Sequence, residues 1–221
     1  MDNNKKPTLQ RRRGRPPKQE DQQSFDRVII DAAADVCAVH GFHGTTVELI
    51  IQDAGVSRPT FYRFFKNKDD VLKKMAVEIN QDLVDTVINA VKKAETVIEK
   101  IETGVDAYID WGIRRGEIVR VLYNALFDPA FPIPEIRQNT FRQLTLLFVE
   151  ELKEADRPAF DPLFIDALIN TVEYLGTSLF TGRDSEKNLA RVRNIILYFL
   201  KSSLLGIRED APVAPQPDGA V

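Results

Sequence analysis

Residues Thr45 to Val71 read TTVELIIQDAGVSRPTFYRFFKNKDDV, and the fold turns on how that stretch is parsed. Val47, Ile50, Ile51 and Ala54 recur at the i, i+3, i+4, i+7 spacing of one buried helix face. Gly55 then ends the helix, because glycine adopts the left-handed conformation at little cost. Ser57 offers a hydroxyl cap for a second helix whose apolar face is Phe61, Phe64 and Phe65. Thr45 followed by Glu48 has the spacing of a capping box for the first helix, and Asn67 with Asp70 predicts the cap of a third starting at Lys68. Two short helices joined by a glycine turn predict a helix-turn-helix, in which the second helix enters the major groove of DNA.

Composition sets the frame around this stretch. The chain has 221 residues, 43% hydrophobic and 29% charged, as in an ordinary globular protein. No apolar run is long enough to span a bilayer and the N-terminus is polar and basic, so the expectation is a cytoplasmic protein without membrane contact. A single cysteine excludes an intramolecular disulfide framework and fits a reducing compartment. Cys37, His40 and His43 are close in sequence, but Cys37 falls on an apolar helical face, so neither a metal nor a cofactor is expected. Charge is unevenly spread. Residues 1–75 hold 14 Lys and Arg against 10 Asp and Glu, which leaves 16 basic and 23 acidic residues for the remainder. A basic first third on an acidic body suits a phosphate-facing module joined to a body that binds something else.

Periodicity divides the chain into an all-α fold of about nine helices. Residues 1–23 are polar, basic and proline-containing without apolar rhythm, which predicts a disordered arm. Residues 24–68 form the DNA-binding domain, whose first helix runs on Phe25, Val28, Ile29, Ala32, Ala33, Val36 and Cys37 and stops at Gly41. Residues 69–206 form a helical regulatory and dimerisation domain, and 207–221 a flexible tail. Helices are expected over 69–95, 96–115, 117–127, 135–155, 162–180 and 186–205. DPAFPIP, residues 128–134, is expected to be non-helical, because its three prolines remove donors and restrict their neighbours.

DNA reading needs donors to phosphates for placement and side chains at base edges for sequence. Ser57 and Arg58 stand at the start of the second helix, where free N–H groups favour phosphate. Pro59 is tolerated in that first turn, and its ring suits a thymine methyl. Thr60 and Arg63 share a face, while Tyr62 lies off the phenylalanine face and is expected to be exposed. RRRGRPPK, residues 11–18, resembles an AT-hook: Arg13 and Arg15 flank Gly14, and Pro16 with Pro17 holds an extended path suited to an A·T-rich minor groove. A non-specific basic tail acting by counterion release is the plainer reading of that arm.

These residues bring a family into view. His40-Gly41-Phe42, Gly44-Thr45-Thr46, Ala54-Gly55-Val56-Ser57, Thr60-Phe61-Tyr62-Arg63-Phe64-Phe65 and Asn67-Lys68 together resemble the N-terminal domain of TetR-type transcriptional regulators. The resemblance covers about the first third of the chain. It implies phosphate contacts for Thr46, Tyr62 and Lys68, with Thr45 counted among the DNA-facing group, and base contacts for Arg58, Pro59, Thr60 and Arg63. Pro59 replaces the small residue common there, so no base preference carries over.

The resemblance also implies a homodimeric body that binds a small effector. Two greasy C-terminal helices carry Leu168, Val172, Gly176, Leu179, Val192, Ile195, Ile196 and Phe199. A monomer core would account for them; a four-helix interface with a second subunit is the sharper reading, which the resemblance favours. Tyr108, Trp111, Tyr123, Phe127, Phe131, Phe148 and Tyr174 are the candidate pocket residues, and their lack of charge points to an apolar ligand. The expected function is repression of a palindromic operator, relieved by that ligand. The alternative is a nucleoid or division factor that uses DNA as scaffold and its body as a protein-binding surface. An enzyme would need a convergent nucleophile, base or metal set, which two histidines and one cysteine near the head do not supply.

Overall fold

The computed structural model describes residues 19–125, 133–155, 160–181 and 185–206. Among them are nine α-helices and no strand: α1 (Gln19–Gly44), α2 (Val47–Ala54), α3 (Arg58–Phe64), α4 (Lys68–Val91), α5 (Val97–Arg115), α6 (Glu117–Asn124), α7 (Ile133–Glu154), α8 (Pro162–Thr181) and α9 (Ser185–Leu205). No helix among the described residues is long and apolar enough to cross a membrane.

Local signals set most of the boundaries. Gly41, at φ 68° and ψ 176°, kinks the end of α1 where the sequence predicts a stop. Asn67 Oδ1 accepts from the Asp70 N–H at 2.9 Å, and Asp70 Oδ2 accepts from the Lys66 N–H at 3.0 Å, which fixes the start of α4. Thr96 and Glu99 form a reciprocal capping box on α5. Those backbone N–H bonds hold the Glu99 carboxyl below its ordinary range.

Several boundaries differ from expectation, most of them by one residue and four by more. α1 begins at Gln19 and so takes in residues assigned to the arm, since Gln19 to Gln23 are helix formers with acidic Glu20 and Asp21 in the first turn. α4 ends at Val91 rather than near Glu95; Lys93 and Ala94 turn back onto the Ala90 and Val91 carbonyls. α6 ends at Asn124. α7 includes Ile133 and Pro134, because a proline in the first turn lacks only an N–H that would have no intrahelical partner.

The helices share one continuous core, running from Ile29, Phe61 and Val71 near the head to Leu168, Ile196 and Leu204 in the body. α4 is the link. It packs on α1 at its N-terminal end and on α5 and α7 further along, so one 24-residue rod spans head and body. α8 packs on α7 and α9, and α5 on α9, which closes the body around the far half of α4.

Candidate DNA-reading face and buried cavity

The Gly55 turn, at φ 62°, sets α3 across α2, with Phe61 fully buried and Phe65 nearly so. Ser57 caps α3, its Oγ accepting from the Thr60 N–H at 3.2 Å and lying 2.8 Å from Thr60 Oγ1. With the phenylalanines turned inward, Ser57, Arg58, Pro59, Tyr62 and Arg63 are left in solvent and Thr60 is half-buried. Tyr62 is 46% exposed, its ring edge-on to Phe61. Arg58 lies over the Tyr62 ring, 5.6 Å from its centre, and Arg63 lies 5.0 Å over Phe64.

The turn before α2 departs from the predicted capping box. Thr46, not Thr45, is the cap, accepting from the Leu49 N–H at 3.2 Å. Thr45 is 1% exposed, and both its N–H and its hydroxyl bond the Gly41 carbonyl, the hydroxyl at 2.7 Å. It therefore closes the α1–α2 turn, and its side chain does not face DNA. Glu48, released from the box, accepts from Arg58 Nη1 at 2.7 Å. Lys68 Nζ donates to the Phe42 carbonyl at 3.2 Å, which ties the start of α4 to the end of α1. Arg13, Gly14, Arg15 and Pro16 lie outside the described residues.

The body holds a cavity of about 90 Å³. Leu83 and Val87 of α4 form one wall, and α5, α6, α7, α8 and α9 supply the rest through residues such as Val105, Tyr123, Phe148, Ile169 and Leu200. Of the predicted pocket residues, Tyr108, Tyr123 and Phe148 line it. Trp111 lines a smaller adjoining cavity of about 40 Å³, and its indole N–H donates to Asp82 Oδ2 at 2.9 Å. Tyr174 is 79% exposed on the outside of α8 and lines neither cavity. Phe127 and Phe131 lie outside the described residues.

One end of the cavity is polar. Tyr108 and Tyr123 place their hydroxyls 3.0 Å apart. Both phenols are pushed well above the ordinary range, first by burial. Glu173, the one charged residue of the described lining, is held by Arg137, which also donates to Asn170 at 3.2 Å and lies 4.4 Å over the Phe141 ring. Glu173 was readable as an anomaly, since it sits four residues after Ile169 and seven before Phe180 on an apolar stripe. Its partner Arg137, 36 residues away, had no such local mark.

The predicted interface residues are taken largely by the chain's own core. Leu168, Leu179, Val192 and Ile196 are buried within the single chain, and Val172 lines the cavity. Gly176 faces Tyr108, where an added Cβ would come within 2.3 Å of the hydroxyl, so its smallness serves a contact inside the chain. Ile195 and Phe199 are half-buried. The physical reason is that the greasiest stripe of an amphipathic helix packs on its own domain first.

A glycine-turned helix pair with an exposed basic face, carried on a rod that also walls a cavity, defines a helix-turn-helix regulatory protein. Residues 29–75 match the family described as bacterial regulatory proteins, tetR family, which covers the helix-turn-helix head and the start of α4. The chain is 37% identical over 73 residues to the fatty acid metabolism regulator protein of Bacillus subtilis, a match that spans 33% of this chain and 38% of that one. Among solved structures it resembles the fatty acid degradation regulator FadR of Bacillus halodurans (TM-score 0.64, 24% identity, 78% of this chain and 94% of that one). It also resembles FadR of Bacillus subtilis in complex with stearoyl-CoA (TM-score 0.66, 22% identity, 82% and 99%). At those identities the likeness establishes the fold.

Proposed function

We propose that the chain is a homodimeric repressor that grips a palindromic operator with α3 and lets go when an apolar effector with a long acyl chain enters the body. The observation that carries this reading is the position of Leu83 and Val87, which wall the cavity from the same helix that is capped beside the reading head. Ligand pockets hold roughly 300–1,000 Å³, so a long-chain molecule entering about 90 Å³ must push its walls apart, α4 among them. A displaced α4 moves the head it carries, and an effector that prefers the displaced state opposes DNA binding by that differential affinity. The acyl class is supported by the fatty acid regulators among its relatives, one of them solved with stearoyl-CoA.

On DNA, Thr46, Tyr62 and Lys68 hold phosphates, and Arg58, Pro59, Thr60 and Arg63 face bases. RRRGRPPK adds minor-groove contact beside the site. The second subunit docks on the outward faces of α8 and α9, around Tyr174 and Ile195, since the inward residues are already used. Fluorescence anisotropy on duplexes from the region upstream of its own coding sequence tests the proposal. Tight, salt-sensitive binding to one inverted repeat, lost on adding stearoyl-CoA, is the expected outcome; equal affinity for scrambled duplex rejects it.

A further inference from the structure

Resting on the reading of the cavity as the effector site, the geometry points to the Tyr108–Tyr123 hydroxyl pair as the anchor for one uncharged oxygen of the effector. That oxygen is the carbonyl of an ester or thioester, not a free carboxylate.

Two hydroxyls that share one hydrogen bond use one of their two hydrogens. Whichever tyrosine donates, the other keeps an O–H, and no acceptor among the described residues takes it. Both rings line the cavity, Tyr108 buried and Tyr123 half-buried, so a molecule in the cavity is the partner within reach of that donor. Burial also keeps both phenols protonated and therefore able to donate.

The pair is rigidly mounted. Tyr108 of α5 lies against Gly176 of α8, while Phe180 of α8 lies against Gly112 of α5, where an added Cβ would come within 2.1 Å of the ring. Phe180 meets Tyr108 edge-on at 5.5 Å and Tyr123 at 5.8 Å, so one ring braces both. Two glycines thus let two aromatic rings cross the same helix pair in opposite directions.

Charge decides which acceptor the free O–H takes. Glu173 supplies a negative charge beside the pair, and Arg137, the cation at that end, is already bound to Glu173 and Asn170 and stacked on Phe141. A second carboxylate would be buried next to the first with no cation to spare, which is strongly unfavourable. An ester or thioester carbonyl accepts the hydrogen bond without bringing charge, and its alkyl chain runs toward Leu200 and Leu204.

Calorimetric titration of the full chain with lauroyl-CoA, methyl laurate and laurate, on wild type and Tyr123→Phe, tests this. Wild type is expected to bind lauroyl-CoA and methyl laurate at least roughly tenfold more tightly than laurate at pH 8. Laurate affinity should climb as pH falls toward 6, as the fraction of neutral acid grows, while methyl laurate affinity stays level. Tyr123→Phe should weaken both esters about three- to tenfold, the scale of one net hydrogen bond, and Tyr108→Phe serves as a second variant if the first melts early. Ester binding unchanged in both variants, or laurate binding as tightly as methyl laurate at pH 8, overturns the anchor while leaving the acyl effector standing. Failure of all three compounds to bind wild type overturns the acyl reading itself, and the anchor with it.

Discussion

Asp82 Oδ2 accepts from the Trp111 indole N–H at 2.9 Å, and so fastens α4 to α5 one residue away from the cavity wall at Leu83. Arg115 donates to the same oxygen from Nε at 3.0 Å and Nη2 at 2.6 Å. One carboxylate on the linking rod therefore gathers three donors from one neighbouring helix. On the head side, Arg27 of α1 reaches Glu78 of α4 at 3.0 Å, one turn earlier on the rod. The rod is clamped to head and body by separate ion pairs, and the cavity begins immediately beyond the second clamp.

Asp82→Ala removes that clamp. Because Asp82 and Arg115 are both partly exposed, the expected loss is modest, about 1–2 kcal/mol of unfolding free energy by denaturant titration. Effector affinity should stay close to wild type, since Asp82 does not line the main cavity, while the factor by which effector weakens DNA binding shrinks. An unchanged factor would show that α4 transmits nothing through this joint.

Glu48 restrains Arg58 at the start of the reading helix. Both side chains are mostly exposed, so the pair is weak in itself, yet it holds the arginine between Glu48 and the Tyr62 ring. Glu48→Gln is expected to raise affinity for all duplexes several-fold, part by freeing Arg58 and part by removing a negative charge. Repeating it in an Arg58→Ala background isolates the first part. Equal gains in both backgrounds mean that Glu48 acts on the DNA by charge alone.

Phosphate and base contacts separate by salt and sequence. Tyr62→Phe or Lys68→Ala should weaken cognate and scrambled duplexes alike, with the lysine change flattening the salt dependence by about one unit of slope. Arg63→Ala should cost roughly 1–3 kcal/mol on the cognate site and relax discrimination there. Uniform losses for all three would remove Arg63 from the base-reading group.

Gly176→Ala places a methyl within 2.3 Å of the Tyr108 hydroxyl. Tyr108 is buried and braced by Phe180, so α5 and α8 must part or the ring must leave its rotamer toward the cavity. A destabilisation of about 1–3 kcal/mol is expected, with a lowered melting temperature as the readout. A wild-type melting temperature would mean that the ring is free to move.

The head was legible in residues 45–71 because every signal there is local: a glycine turn, three caps and two short apolar faces lie within 27 residues. Even so, Thr45 was misplaced. A hydroxyl that closes the preceding turn and one that caps the following helix look alike at adjacent positions, and their hydrogen-bond partners separate them, Gly41 for Thr45 and Leu49 for Thr46. The body was legible as helices but not as surfaces. Leu168, Gly176 and Ile196 show the same apolar pattern whether they face their own chain or another, because periodicity gives a face and not its partner. Tyr174 failed as a pocket residue for the same reason. Glu173 shows the converse, as a charge on an apolar stripe that marks the polar end of the cavity before any contact is known.

The central claim is that the cavity and the DNA-reading face oppose each other through α4, and thermodynamic reciprocity tests it most directly. Stearoyl-CoA affinity is to be measured by calorimetry on the free protein and on protein saturated with its operator duplex. If the two sites are coupled, operator weakens stearoyl-CoA binding by the same factor, on the order of 5- to 150-fold, by which stearoyl-CoA weakens operator binding. Equal stearoyl-CoA affinity with and without operator would contradict the account, however tightly each ligand binds alone.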